Sequence, residues 1–352
     1  MLEVAVVLLE GGFASTAIGP LEVFDSAGRF WNWLHGETER PRFRVRTASL
    51  DGASVRSLAG LRLAPELALH EVERADIVIV QSCGWEVLER LARDPRLCPW
   101  LRRWHARGAH VAGVCTGAAF LAEAGLLDGR RATTHWALAE RLRERYPRVD
   151  WQPEEFVTED GRVYCSGGIY ASVDISLYLV EKFCGEEIAV QCARALLVGM
   201  PRRRQSAYSV PALSRPHADE QVRRAEECLQ QGFRGEVSLE AVAARVGMSP
   251  RNFIRRFKAA TGRLPGAYLQ ALRIAAARDL LERGGLPVQK VCASVGYADA
   301  ASFRAAFKRH AGMTPAEYRA RFARNREAGR LTPPAAPDAP GSPSIALLPS
   351  AA

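Results

Sequence analysis

The chain has 352 residues, 48% hydrophobic and 25% charged, an ordinary globular composition with room for two domains and a sizeable core. No stretch approaches the ~20 apolar residues of a membrane span, and the eight cysteines are scattered without a CxxC pair or histidines at zinc spacing. They read as reduced cytosolic thiols, with no metal site, disulfide framework or cofactor implied.

Leu2 to Leu9 is a run rich in Val and Leu, the pattern of a strand covered on both faces, and lacks the basic leader and cleavage site of a signal peptide. Gly11-Gly12 breaks it, and Gly19-Pro20 is expected to open a helix through Leu21, Val23 and Phe24. Trp31 and Trp33 beside that helix read as a core or dimer contact. Phe43 to Ala48 alternates as a second strand, and Asp76 to Val80 is another buried one, carrying Cys83 and Trp85 toward its far edge. Trp85 to Leu91 and Pro99 to Arg107 predict helices, and His110 to Val114 the next strand. Phe156 to Ser166 then predicts a hairpin around Asp160-Gly161, with helices near Ser172–Phe183 and Glu187–Val198. Strands alternating with helices imply a doubly wound, mostly parallel sheet.

The sharpest local feature of this half is Val114-Cys115-Thr116-Gly117-Ala118-Ala119. A strand ends at Cys115 and a helix of small residues starts at once, an elbow that holds its central side chain at the edge where α/β folds bind ligands. The helix N-terminus is expected to lower the thiol pKa. His135, after Thr133-Thr134, offers an imidazole, and Gly167-Gly168 a tight backbone wall. Three readings of Cys115 stay open: a packed small hydrophobe, a ligand-lining thiol, or a nucleophile.

These residues resemble the PfpI/ThiJ-like superfamily, a flavodoxin-like fold related to class I glutamine amidotransferases. The likeness covers roughly residues 2–200: the cysteine elbow falls on Cys115, a Thr-Thr-His stretch on Thr134-His135, and the closing hairpin on Asp160 to Gly168. Active relatives also carry a carboxylate in an Asp-x-x-Gly-Pro context, and here Thr16 precedes Gly19-Pro20. A hydroxyl cannot replace that acid/base group. The resemblance therefore implies an effector site of Cys115, Thr116, Gly117, His135, Thr16, Cys83, Gly167 and Gly168 rather than a catalytic one. Cys115 and His135 remain the candidates if the domain is an enzyme.

Residues 201–216 read as a linker, in which Arg202 to Arg204 either touch DNA backbone or form a solvated charge run. From Leu239 to Tyr318 one pattern then appears twice, with a period of about fifty residues. Leu239, Val242, Ala243, Val246 and Gly247 lead to Phe253, Phe257-Lys258, Gly262, Pro265 and Tyr268. Val288, Val291, Cys292, Val295 and Gly296 lead to Phe303, Phe307-Lys308, Gly312, Pro315 and Tyr318. Each copy predicts helix, glycine turn, capped second helix. The second helix of the first copy buries Phe253 and Phe257 and turns Arg251, Asn252, Arg255 and Arg256 outward; that of the second turns out Ala300, Ala301, Arg304 and Lys308. Residues 217–330 carry 21 basic and 11 acidic residues, whereas residues 1–216 carry 27 of each, so the net +9 of the chain sits on this half. Phosphate is the simplest partner for it.

These motifs resemble the AraC-family DNA-binding domain, two helix-turn-helix units bridged by a long helix, here Ala267 to Arg283. The family places Arg where this chain has Ala305, so the first unit is expected to supply most base discrimination and the second, through Arg304 and Lys308, to hold phosphates. A PfpI-like domain followed by an AraC-like one is the order of GlxA-type transcriptional regulators. The sequence thus implies a flavodoxin-like α/β domain (1–200), an all-α DNA-binding domain (217–326) and a disordered Pro/Ala/Ser tail (327–352). The resemblance implies a cytoplasmic, nucleoid-associated activator whose partners are promoter DNA, RNA polymerase, a second copy and a small nitrogen-containing effector. The alternative is a cysteine-dependent hydratase or amidase with an attached DNA-binding domain.

Overall fold

The structure is a computed structural model and describes residues 1–93, 95–200, 214 and 217–323. All of the expected linker except Ser214, including Arg202 to Arg204, and the expected tail lie outside the described residues.

The first half begins β1 (Leu2–Val7), α1 (Ser15–Ser26), α2 (Phe30–Leu34), β2 (Phe43–Ser49), β3 (Val55–Arg56), β4 (Arg62–Leu63), β5 (Leu67–Ala68) and β6 (Ile77–Val80). It continues with α3 (Val87–Arg93), α4 (Leu97–Ala106), β7 (His110–Val114), α5 (Ala118–Glu123), β8 (Arg131–Ala132), α6 (Ala139–Arg145) and β9 (Asp150–Trp151). It closes with β10 (Val157–Asp160), β11 (Val163–Ser166), α7 (Ala171–Cys184) and α8 (Glu186–Ala195). Seven strands form one sheet in the order β10-β11-β7-β6-β1-β2-β5, parallel except where β10 pairs with β11. This is the expected doubly wound flavodoxin-like fold.

Alternation along each central strand divides two cores between the sheet's faces. Val4, Val6, Ile77 and Ile79 pack toward α1 and α7, while Ala5, Val7, Val78 and Val80 pack toward α4 and α5. From β1 the chain passes to β2 on one side and later returns to β6 on the other. The strand order therefore reverses between β1 and β6, where open α/β sheets bind ligands beyond the carboxyl ends of the strands.

Several expectations change. Gly19-Pro20 does not open α1, which starts at Ser15 and holds Pro20 inside. Gly19 instead lets α1 close on α7: a β-carbon there would stand 2.9 Å from the Ser172 hydroxyl. Trp31 and Trp33 are not core, because α2 buries none of its residues and Trp33 is 63% exposed. The short strands β3 to β5, β8 and β9 have two residues each, too few to show alternation in sequence.

The second half runs α9 (Glu220–Gly232), α10 (Leu239–Arg245), α11 (Pro250–Thr261), α12 (Pro265–Arg283), α13 (Val288–Ser294), α14 (Ala300–Ala311) and α15 (Pro315–Phe322). The duplicated sequence makes duplicated cores. Phe253 packs on Phe257 at 5.4 Å and Phe257 on Tyr268 at 5.3 Å. Phe303, Phe307 and Tyr318 repeat the chain at 5.7 and 5.3 Å. The long helix α12 serves both, placing Tyr268 and Leu272 in the first core and Ile274, Ala277 and Leu281 in the second. Among the described residues, no helix is long and apolar enough to cross a membrane.

Candidate effector site and nucleic-acid interface

Cys115 leaves β7 with φ +55°, the left-handed turn of a strand-to-helix elbow, and such a conformation persists only where its surroundings enforce it. Two glycines make room for it. A β-carbon on Gly113 would lie 2.7 Å from the Ala118 nitrogen, and one on Gly117 would lie 2.5 Å from the Val80 carbonyl oxygen. The elbow is thereby pressed against the end of β6.

There it meets a polar lattice that sequence reading missed. Ser82 and Thr116 hydroxyls lie 2.8 Å apart, and Thr116 Oγ1 also accepts the Cys83 N–H at 2.9 Å. The Ser82 N–H donates to Thr16 Oγ1 at 3.1 Å, and that hydroxyl donates to the Phe13 carbonyl at 2.6 Å. Thr16 is therefore brought to the elbow, as expected, but both its hydrogen-bonding roles are committed to holding loops. Gln81-Ser82 interrupts the apolar run of β6 at its carboxyl end, and that abrupt polar pair was the available signal.

The expected lowering of the Cys115 pKa is reversed. Its thiol is 1% exposed, and burial pushes its pKa up to about 12, against the opposing pull of the Thr116 N–H and the Ser82 hydroxyl. The two-turn helix behind it does not compensate for lost water. Thr116, Gly117 and Cys83 are buried with it, the Cys83 thiol facing Thr116 Oγ1 at 3.5 Å. These residues lie beneath the surface at the sheet's carboxyl edge and do not form an open lining.

The accessible surface comes from neighbouring loops. Thr134 donates its hydroxyl to the Cys115 carbonyl at 3.0 Å, which fixes the loop carrying His135. His135 Nδ1 accepts the Ala137 N–H at 3.2 Å, and burial holds its pKa below the ordinary value, so the ring is neutral at pH 7. It meets Trp85 edge-on at 5.3 Å, while Trp85 meets Phe13 at 5.9 Å and His135 meets Trp136 at 5.4 Å. This row of rings, with Trp85 43% exposed, spans three loops at the sheet's carboxyl edge. Ser166 pairs with Val114, so Gly167 and Gly168 emerge level with Cys115. Gly167 donates to the Phe156 carbonyl at 2.8 Å, and Gly168 faces open space.

In the second half, Ser249 caps α11 by accepting the Asn252 N–H, and Gly262 ends it at φ +79°. Asp299 caps α14 through Ala301 and Ser302, and Gly312 ends it at φ +74°. Phe253, Phe257, Phe303 and Phe307 are buried, which turns Arg251, Arg255 and Lys258 outward on α11 and Ala301, Arg304 and Lys308 outward on α14. Arg255 donates to Asn252 Oδ1 at 2.9 Å, joining two expected base readers. Two of the expected DNA contacts also have partners within the protein. Arg256 donates to both Asp219 carboxylate oxygens, at 2.8 and 3.0 Å, and so ties α11 to the start of α9. Ala300 is half-buried against the second core.

Residues 4–182 match the DJ-1/PfpI family, and residues 242–321 match the helix-turn-helix domain. The chain belongs to the DJ-1/PfpI family. It is 30% identical over 93% of its length, and 92% of the other's, to the HTH-type transcriptional regulator CdhR of Pseudomonas aeruginosa. It is 28% identical over 80% of its length, and 86% of the other's, to the HTH-type transcriptional regulator GlxA of Rhizobium meliloti. The DJ-1/PfpI half alone is 33% identical to isonitrile hydratase of Pseudomonas putida, over 42% of this chain and 63% of that one. In this DJ-1/PfpI member the α/β domain precedes a helix-turn-helix domain, and the two-domain order is that of transcriptional regulators.

Proposed function

We propose that the chain is a promoter-binding activator whose DJ-1/PfpI domain senses a small nitrogen-containing metabolite and does not turn it over. The effector would bind at the carboxyl edge of the sheet against Trp85, His135 and Gly168, with Cys115 as part of the floor. Aromatic faces suit a cationic nitrogen. A domain of residues 1–200 would then govern how residues 217–326 present α11 and α14 to promoter DNA and RNA polymerase, across the linker of 201–216. The exposed Trp33 and Leu34, adjacent on α2, form an apolar patch that a homodimer would cover. A cytoplasmic, nucleoid-associated location follows from this role.

The observation that carries the sensing role is Thr16: where active relatives carry a carboxylate stands a hydroxyl bonded to Phe13 and Ser82, and the nearby Cys115 thiol stays protonated at neutral pH. The test measures binding of a labelled promoter fragment by the full chain, with and without candidate amines, amides and isonitriles. A Cys115→Ser variant should still respond to the effector with modestly altered affinity. The elbow strain at Cys115 favours one rival, a hydratase or amidase. Turnover of an isonitrile or amide by the wild type that disappears in Cys115→Ser would replace the sensor reading with that one.

A further inference from the structure

The helices α11 and α14 share one frame but present different chemistry along its middle. Both have twelve residues, a side-chain cap and a closing left-handed glycine, and each buries a Phe pair four residues apart. Aligned on those pairs, Arg251 corresponds to Ala301, Ile254 to Arg304, Arg255 to Ala305, Lys258 to Lys308 and Ala259 to Arg309. Positions 301, 305 and 308 follow one line of the helix surface, because residues four and seven apart stack on one face. Ala301 and Ala305 are both exposed there, flanked by exposed Arg304, Lys308 and Arg309.

An alanine cannot reach a base edge as Arg does, so it contributes only if the helix backbone comes close to the base pairs. The flanking cations supply a means of holding it there, through phosphates on either side. At that distance a methyl has one complementary feature in the major groove, the C5-methyl of thymine; the other base-edge groups are hydrogen-bond donors and acceptors that it would leave unpaired. We propose that α14 reads thymine methyls through Ala301 and Ala305, so that the second unit has base specificity without direct hydrogen bonds from these two residues. The inference rests on the promoter-binding reading above.

The experiment uses the full chain and a promoter duplex whose site has been mapped by footprinting. Each thymine in the half contacted by α14 is replaced singly by deoxyuridine, which deletes only the methyl. Binding should weaken about fourfold at one or two positions, the effect of uncovering one buried methyl. Replacing such a T·A pair by 5-methylcytosine·G should recover part of the loss relative to cytosine·G. The thymine-to-uracil ratio should fall to about one in Ala301→Gly or Ala305→Gly; being a ratio within one variant, it is insensitive to the helix stability that glycine removes. If no uracil position matters while Arg251→Ala and Arg255→Ala still weaken specific binding, this inference is overturned and the regulator reading stands. If the unmodified duplex shows no specific binding, both fall.

Discussion

The thiol of Cys115 sits between the Ser82 hydroxyl and the Thr116 N–H, yet burial outweighs both and leaves it protonated far above neutrality. Cys165, also fully buried, is pushed up to about 12 as well. The sign of the resulting pH dependence follows. Between the ordinary thiol value of 9.0 and about 12 the unfolded chain releases these protons and the folded chain keeps them. Stability should therefore fall as pH rises from 9 toward 12, and the urea midpoint at pH 10 should lie below that at pH 8. The decrease should shrink by about 1 kcal/mol in Cys115→Ser; an unchanged decrease would mean that the thiol is solvated. Thr16 permits a second test. Thr16→Val keeps the shape but strands the Ser82 N–H, and should destabilise the protein by about 1–3 kcal/mol in thermal unfolding. A neutral result would show that the Thr16 hydroxyl does not hold the Ser82 loop.

Along α11, neighbouring arginines stand in different surroundings. Arg251 and Arg255 face outward one turn apart, and replacing either by Ala should weaken specific promoter binding by about 1–3 kcal/mol with no change in melting temperature. Arg256 is held by Asp219, whose carboxyl is kept below the ordinary range despite the opposing effect of burial, by the Val222 N–H and the Arg256 guanidinium. Arg256→Ala should lower the stability of the helical half by on the order of 1 kcal/mol while sparing base discrimination. The reverse pattern, lost discrimination at full stability, would return Arg256 to the DNA surface. On α14, Arg304→Ala should weaken specific and non-specific DNA alike and reduce the salt slope by about one, the signature of a phosphate contact. A loss confined to one base position would contradict that role.

At the scale of the whole molecule, the exposed face of α2 bears on assembly. If Trp33 joins two copies, Trp33→Asp should produce monomers in sedimentation velocity and weaken binding to a promoter carrying two sites more than binding to a single site. A monomeric wild type would end that account. The features legible in the sequence were those recorded within a few residues: strand alternation, Ser249 and Asp299 capping their own helices, and the repeated aromatic spacing of the two helical cores. The cysteine elbow belongs with them, since a strand ending one residue before a run of small residues is a local signal. What folding added joins distant residues. Ser82 meets Thr16 across 66 positions, Arg256 meets Asp219 across 37, and β1 lies beside β6 only because the chain reverses around it. The same distance explains why the Cys115 pKa is not legible in the sequence. Its helix start is visible in the sequence, but the desolvation that sets its charge comes from loops that reach it only in the folded chain.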